Sequence, residues 1–387
     1  MANVFNLLSE ETFAEKLDTQ NTLLAALVSQ GGGLSVKTPS DIQSIVRLGL
    51  ASRIFAVGDQ ITCQRGESTL TWDIIGIDQD TPSNKGLKHS LTLQLHDCIA
   101  SVQFDAREAF YYAEEGLDAG TYHFTVGQHT WVSGDVGKTY QFTLAQPVPA
   151  KGQLVLSAGY NVTINGTNVS TYASSTSSSA IETVQISEGD DGTDLGTMKN
   201  SIEGKFNSCQ RALLGNNNYA QSAMRQYLNS NAAAGSVWTP KNNWDRPPSW
   251  ATNTAGFLNG VDEDFLAVIG EVDKITTLNT VSDGGGSVTT SEKIFLLSRS
   301  EVYGGNENSI NEGAAYSYYA DYSDLGAVGT GADTNRIKYR SSSAQYWWLR
   351  SPHTGNSSNV RSVYTTGGVT NRSASDSRGV APACCII

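Results

Sequence analysis

The residues able to do covalent or metal chemistry are few, and their spacing does not serve it. Cys63, Cys98, Cys209, Cys384 and Cys385 are an odd number without a CxxC pair, so neither a zinc site nor a disulfide framework is indicated and buried thiols are expected. If vicinal Cys384 and Cys385 lie in a strand they point to opposite faces, so at most one faces the main core, and no base or cation stands beside them in sequence to hold a thiolate. His89, His96, His123, His129 and His353 show no HxxxH or HExxH spacing, and neither a GxSxG elbow nor a P-loop occurs. A helix would fan the consecutive carboxylates Asp262-Glu263-Asp264 around its axis, which suits a solvated helix N-terminus better than a cation. The expectation is a non-enzymatic protein that needs no cofactor and no metal.

What remains is recognition chemistry, concentrated near the C-terminus. Residues 353 to 378, HTGNSSNVRSVYTTGGVTNRSASDSR, combine small hydroxyl and amide side chains with occasional Tyr and Arg, the mixture in which Tyr and Arg anchor a ligand while Ser and Asn adapt to it. The contact candidates are His353, Asn356, Ser358, Asn359, Arg361, Ser362, Tyr364, Thr370, Asn371, Arg372, Ser373, Ser375 and Asp376. Between them Trp347, Leu349, Val360, Val363, Val369, Val380 and Pro382 stand at strand-like spacing and would carry the core. A solvated hairpin loop with no ligand has the same composition; the apolar GVAPACCII that follows favours a presented run clamped at both ends. A second aromatic concentration, Trp238 to Trp250, holds three of the seven Trp, and can either stack on a ligand or pack a Pro-stiffened loop. Trp244 and Trp250, with Trp347 and Trp348, are the expected scaffold of the binding face.

The elements that would position these residues are short. Residues 9 to 29 start at Ser9 with an acidic first turn and carry Phe13, Leu17, Leu24 and Val28 at helical spacing, a helix that either joins a bundle or docks on its own domain. A shorter helix begins at Pro39-Ser40-Asp41 and runs through Ile42, Ile45, Val46 and Leu48. FAVGDQITC, STLTWDIIGID and HSLTLQLHD are β-rich, FDAREAFYYAEE at 104 to 115 reads as helical, and 116 to 190 has the turn spacing of a small sandwich or barrel. Short helices follow in SCQRALL, YAQSAMRQYLNS and DEDFLAVIGEV, and EKIFLLSRSEVYG is a strand entering a helix. QYWWLRSP, SNVRSVYTTGGVT and GVAPACCII read as three strands separated by long loops.

The order VGDQITC…TWDIIGID, YLN, KIFLLSRSE, YWWLRSP, a Gly-Gly hairpin and GVAPAC resembles the C-type-lectin-fold variable proteins of diversity-generating retroelements, of the phage and prophage receptor-binding type, distant relatives of formylglycine-generating enzymes. The resemblance covers about 55 to 110 and 195 to 387, and departs from the family at Ala381, where Arg is usual. It implies an α+β chain: a C-type lectin-like domain (formylglycine-generating-enzyme-like) in two parts, 51–115 and 191–387, an inserted β-sandwich-like domain at 116–190, and an N-terminal helical segment at 1–50 for attachment or oligomerisation. It implies a variable region at 350–380 whose codons are diversified at template adenines, which never produces Lys, Glu, Gln, Met or Trp; residues 353 to 378 contain none of these five. The implied partners are a bacterial cell-surface protein or glycan receptor, and other virion proteins bound through the N-terminal segment, with a homotrimer possible. The implied place is a virion tail or surface, or a cell surface for a prophage or bacterial protein. A carbohydrate-binding surface protein without diversification and a thiol-dependent enzyme of the same superfamily are the rival readings.

At 387 residues the chain is long enough for two or three units with a sizeable core. Its net charge of −12, with no Lys/Arg stripe, argues against nucleic acid as a partner, since a phosphate backbone requires a basic face. The first residues have no basic n-region followed by an apolar stretch, so no Sec signal peptide is expected, and no apolar run is long enough for a membrane span.

Overall fold

The computed structural model describes residues 38–127, 137, 139–144, 146–156, 161–164, 167–171, 193–198, 205–319 and 334–387, so the expected helix at 9 to 29 lies outside the described residues. Among the described residues the chain is mixed and mostly β, with few helices and no closed barrel.

Helix α1 (Pro39–Arg47) starts as its sequence requires. The Thr38 hydroxyl accepts a hydrogen bond from the Asp41 backbone N–H, the Asp41 carboxylate accepts one from the Thr38 backbone N–H, Pro39 fills the first turn, and Ile42, Ile45 and Val46 are buried. After α2 (Ala51–Ile54) come β1 (Gln60–Arg65), β2 (Ser68–Ile77), β3 (Leu91–Leu95), β4 (Ala100–Gln103) and β5 (Ala109–Ala113). The β-rich insertion holds β6 (Gly120–Val126), β7 (Thr139–Leu144), β8 (Gly152–Leu156), β9 (Asn161–Ile164), β10 (Thr167–Thr171) and β11 (Thr193–Met198). Helices α3 (Cys209–Leu214), α4 (Ala223–Leu228) and α5 (Glu263–Val268) precede β12 (Ile269–Gly270), β13 (Val272–Thr277), β14 (Ser287–Glu292) and β15 (Ile294–Phe295). Helix α6 (Arg299–Tyr303) and β16 (Lys338–Arg340), β17 (Ser343–Gln345), β18 (Trp347–Pro352), β19 (Asn359–Val363), β20 (Val369–Ser373), β21 (Ser377–Val380) and β22 (Ala383–Ile386) complete the chain.

Two sheets organise the larger unit. One runs β1-β2-β3-β22-β12 with β15 also on β22, and the other runs β20-β19-β18-β21-β4. The last eleven residues join them: Gly379 of β21 pairs with Trp347 and Ser101 in the second sheet, and after Pro382 the chain enters the first, where Cys384 sits between Leu93 and Ile294. The expected single closing strand is therefore two strands in two sheets. Gly379 has no alternative here, because a Cβ would lie 2.5 Å from the Cys98 Sγ and 2.8 Å from the Tyr346 carbonyl oxygen.

β22 is covered on both faces. Cys384 and Ile386 join a core with Trp72, Leu93, Trp348 and Val360, while Ala383, Cys385 and Ile387 join another with Phe295, Trp347, Val363 and Val369. This agrees with the expectation that at most one of the vicinal thiols faces the main core, and adds that the opposite face is buried too: Cys384 enters the larger core and Cys385 the second. Full burial of each Leu, Ile, Val or Phe among these core residues contributes roughly 1.5–3 kcal/mol of transfer free energy.

The smaller unit has sheets β10-β9-β8-β5 and β11-β6-β7, with Phe110, Phe124 and Phe206 packed ring to ring at 5.1–5.4 Å. Its core takes in Phe110 and Tyr111 before residue 116, and Leu195, Phe206, Cys209 and Leu213 after residue 190, so the unit is wider than the expected 116–190. Residues 109–113, expected to be helical, form β5 against β8. The Ala and Glu residues around them favour a helix, but Phe110 and Tyr111 find partners in a sheet core, and tertiary packing overrides a weak propensity.

Candidate functional site

The hairpin β19–β20 is built on Val363↔Val369, Arg361↔Asn371 and Asn359↔Ser373 register pairs. Its turn is closed by the Tyr364 N–H on the Gly368 carbonyl (2.7 Å) and the Gly367 N–H on the Tyr364 carbonyl (2.9 Å), with Gly367 at φ 88°. The left-handed backbone there is why Gly occupies the position. From beneath, the buried Tyr303 hydroxyl donates to the Gly367 carbonyl at 2.7 Å, so the turn is tied to α6.

Beside this turn lies a cluster of tyrosine and arginine side chains. Tyr346, one residue before β18, meets Tyr364 edge to face with ring centres 4.5 Å apart. Arg372 from β20 places its guanidinium carbon 4.7 Å from the Tyr346 ring centre and donates to the Tyr346 hydroxyl at 3.2 Å; Arg378 from β21 lies 5.1 Å from the same ring. Arg378 also donates to Asp376 at 3.0 Å. All five residues are half-buried, so each offers part of its surface to solvent. Burial pushes the Tyr346 phenol up, but the Tyr364 hydrogen bond and the hydrogen bond and charge of Arg372 outweigh it, and Tyr346 ionises below the usual tyrosine value. Tyr364 is raised, chiefly by its hydrogen bond to Tyr346.

The contact candidates divide sharply. Tyr364, Arg372 and Asp376 belong to this cluster. Asn359, Arg361, Asn371 and Ser373 share the Val363/Val369 face of the hairpin, and the Asn359 side-chain amide donates to the Asn371 oxygen at 3.1 Å. Arg361 grips buried Glu307 with two 2.8 Å bonds, an anchor that also takes Arg299 at 3.3 Å, so much of its bonding capacity is used internally. His353 is half-buried and accepts from the Gly355 N–H, and burial, then the Arg361 charge, lower its pKa below the usual imidazole value. The Ser375 N–H donates to the Leu214 carbonyl and its own carbonyl takes the Gln103 side chain at 2.9 Å, locking the β20–β21 connection to α3 and β4.

Asn356, Ser358, Ser362 and Thr370 are buried, so they are corrected from contacts to scaffold. Asn356 shows why a polar residue is needed inside: its side-chain oxygen accepts the N–H groups of Ser358 and Asn359 at 3.2 and 2.7 Å and shapes the entry to β19.

The aromatic scaffold is also partly reassigned. Trp347 and Trp348 are fully buried, their indole N–H groups donating to the Arg336 and Val102 carbonyls at 2.8 and 3.0 Å. Trp250 does border the sheet, donating to the Gln103 carbonyl at 3.1 Å. Trp244 does not; it packs on Tyr112 of β5, ring centres 6.4 Å apart, against the smaller unit.

Two members of the cluster, Tyr346 and Arg378, were not among the candidates. The signal for Tyr346 was present, since the register that pairs Trp347 with Val363 puts Tyr346 opposite Tyr364. The buried ionic network beneath the sheet also escaped notice. Arg350 of β18, wholly buried, donates to both Glu301 oxygens at 2.5 and 3.1 Å and to the carbonyls of Leu296, Glu312 and Ile275. Lys274 donates to Glu301 at 3.0 Å, to the Tyr316 hydroxyl at 3.2 Å and to Asp80. Burial disfavours the Lys274 ammonium, but Asp80 and Glu301 outweigh it and raise its pKa, so the group is a fixed cation rather than a nucleophile. Burial raises Cys384 and Cys385 well above the usual thiol value, with the Asp80 carboxylate adding to the rise at Cys385, and thiolate chemistry is correspondingly opposed. Among the described residues no three His, Cys, Asp or Glu side chains are grouped to hold a metal.

The fold and site together define a mixed, mostly β protein with two β-rich units and a half-buried tyrosine–arginine cluster beside a sheet that is covered on both sides. A family model described as a domain of unknown function (DUF6273) matches residues 197–387, which is the part carrying that cluster. No curated protein and no solved structure matches the chain.

Proposed function

We propose that the chain is a phage- or prophage-encoded receptor-binding or adhesion protein, without enzymatic activity, that displays an exchangeable ligand-binding surface on a C-type lectin-like domain. The observation that supports it is the arrangement around Tyr346, Tyr364, Arg372 and Arg378: anchor-type side chains, partly exposed, on a backbone whose every strand is fastened to a core. Such a surface tolerates exchange, because substitutions away from core and caps usually change stability by within about 0.5 kcal/mol. Its partner would be a bacterial cell-surface protein or glycan, with the N-terminal segment attaching it to a virion, as a trimer in the fullest form of this reading. Among the described residues no helix is long and apolar enough to cross a membrane.

The test is genetic and then biochemical. A near-copy of the coding DNA for 350–380, differing at adenines and lying beside a reverse-transcriptase gene, is expected, with differences concentrated at the codons of Tyr364, Asn371, Arg372, Ser373 and Asp376. Differences falling equally on Ser358, Ser362 and Thr370 would break the link between exposure and exchange. Purified protein should adsorb to host cells, and Tyr364→Ala should reduce adsorption without altering the fold.

One observation favours a second reading, a carbohydrate-binding surface protein with no diversification. Buried Asn356, Ser358, Ser362 and Thr370 interrupt the low-complexity run with positions that exchange would damage. Absence of any template, with adsorption retained, selects it.

A further inference from the structure

The chain carries a net charge of −12, yet the half-buried cluster around Tyr346 and Tyr364 brings together two guanidiniums and one carboxylate. Arg372 and Arg378 both stand within 5.1 Å of one tyrosine ring, and Asp376 is the carboxylate paired with them, on Arg378 alone. Among the described residues no carboxylate lies at ion-pair distance from Arg372, whose hydrogen bonds go to the Asn371 carbonyl and the Tyr346 hydroxyl. The Tyr346 ring packs against both guanidiniums, which reduces the side-chain entropy to be lost when an anion arrives.

We propose that this cluster binds an acidic saccharide, with a sugar-borne carboxylate or phosphate held by Arg372 and Arg378; the inference rests on the display function proposed above and names its ligand class. Planar guanidiniums match both oxyanions. Tyr364 is half-buried and supplies an aromatic ring on which the apolar face of a sugar would pack, and Asp376 is an acceptor for a hydroxyl donor. A peptide of comparable charge fits less well. Its successive carboxylates would meet Asp376 and the acidic remainder of the chain, whereas a sugar presents uncharged hydroxyls around one anion.

The experiment titrates the full chain with a uronic-acid trisaccharide, a phosphorylated trisaccharide, the uncharged trisaccharide and triglutamate, by calorimetry at low and physiological ionic strength. The acidic sugars should bind, the stronger of the two identifying the source of the anion, with affinity falling as salt rises. Arg372→Gln and Arg378→Gln should each weaken binding by about tenfold or more. Both are surface changes, and unchanged circular dichroism and unfolding midpoints check that the variants fold. Equal binding of the uncharged sugar, equal or tighter binding of triglutamate, no binding of either acidic sugar, or unchanged affinity in both variants overturns the assignment. Cell adsorption separates this from failure of the display function: adsorption lost in Tyr364→Ala but kept in both arginine variants leaves the surface standing and removes the acidic ligand, while adsorption kept in all three removes the surface itself.

Discussion

Replacing Arg350 by Met should cost about 3–5 kcal/mol, the usual penalty for breaking a buried ion pair from one side. Methionine keeps the apolar stem and removes the charge. In the native chain the guanidinium satisfies both Glu301 oxygens and the carbonyls of Leu296, Glu312 and Ile275, all without solvent contact at the arginine. The variant leaves Glu301 with Lys274 and the Ser298 backbone N–H as partners. Three carbonyls also lose a donor, each worth about 0.5–1.5 kcal/mol net where no other partner replaces it.

Urea unfolding followed by tryptophan fluorescence reads the region directly, because Trp347 and Trp348 are on the same strand as Arg350. The smaller unit has its own core and need not unfold in the same step, so the fluorescence transition is the quantity to compare. Glu301→Gln in the Arg350→Met background should cost less than the two single changes added together, with a coupling of roughly 1–3 kcal/mol. The pH dependence follows from Glu301. Burial raises its pKa, but the charges of Arg350 and Lys274 outweigh this and hold it below the usual glutamate value of 4.5. A depressed carboxylate stabilises the fold above its unfolded value and loses that contribution as pH falls through the native value. The Arg350→Met penalty should therefore be full at neutral pH and shrink on acidification below about 4.5. A penalty under about 1 kcal/mol, or additivity within about 0.5 kcal/mol in the double variant, would refute the network as an anchor of β18.

Glu312 gives the opposite sign. Burial raises its pKa above 4.5 despite the Arg350 charge, so the native state binds its proton first and stability rises as pH falls from the raised value toward 4.5; Glu312→Gln should abolish that rise in a urea-midpoint profile. Cys384 and Cys385 should resist a thiol reagent in native buffer and react in denaturant, since both are fully buried; native labelling of either, located by mass spectrometry, would contradict the two-faced core around β22. Tyr346 should be the first phenol of the Tyr346–Tyr364 pair to ionise in a spectrophotometric titration, and Arg372→Gln should move that step upward; a step that stays in place would show that the guanidinium does not act on the ring.

How much of this was legible in advance depended on whether one side of an element faces water. Helix α1 was readable because Thr38 and Asp41 cap it locally and Ile42, Ile45 and Val46 mark its single buried face. The C-terminal apolar run was readable as strand, but not as two strands, because the switch at Pro382 from one sheet to the other is set by long-range pairing with Trp347 on one side and Leu93 on the other. Residues 104 to 115 misled for a related reason: Ala and Glu carry a helical preference worth tenths of a kcal/mol per residue, and burial of Phe110 and Tyr111 between sheets is worth several times more. The site was misread where alternation failed. In a strand with one wet face, serine marks the wet side; β19 has a core on either side, and there Ser362 is as buried as Val363. Composition alone cannot separate such a serine from an exposed one, whereas register can, and register also brought Tyr346 into the site. The same distinction bears on the proposed function: a run that reads as uniformly exchangeable contains buried hydroxyls and Asn356, whose side chain shapes the backbone, beside half-buried Tyr364, Asn371, Arg372, Ser373 and Asp376, where exchange is expected to leave the core intact.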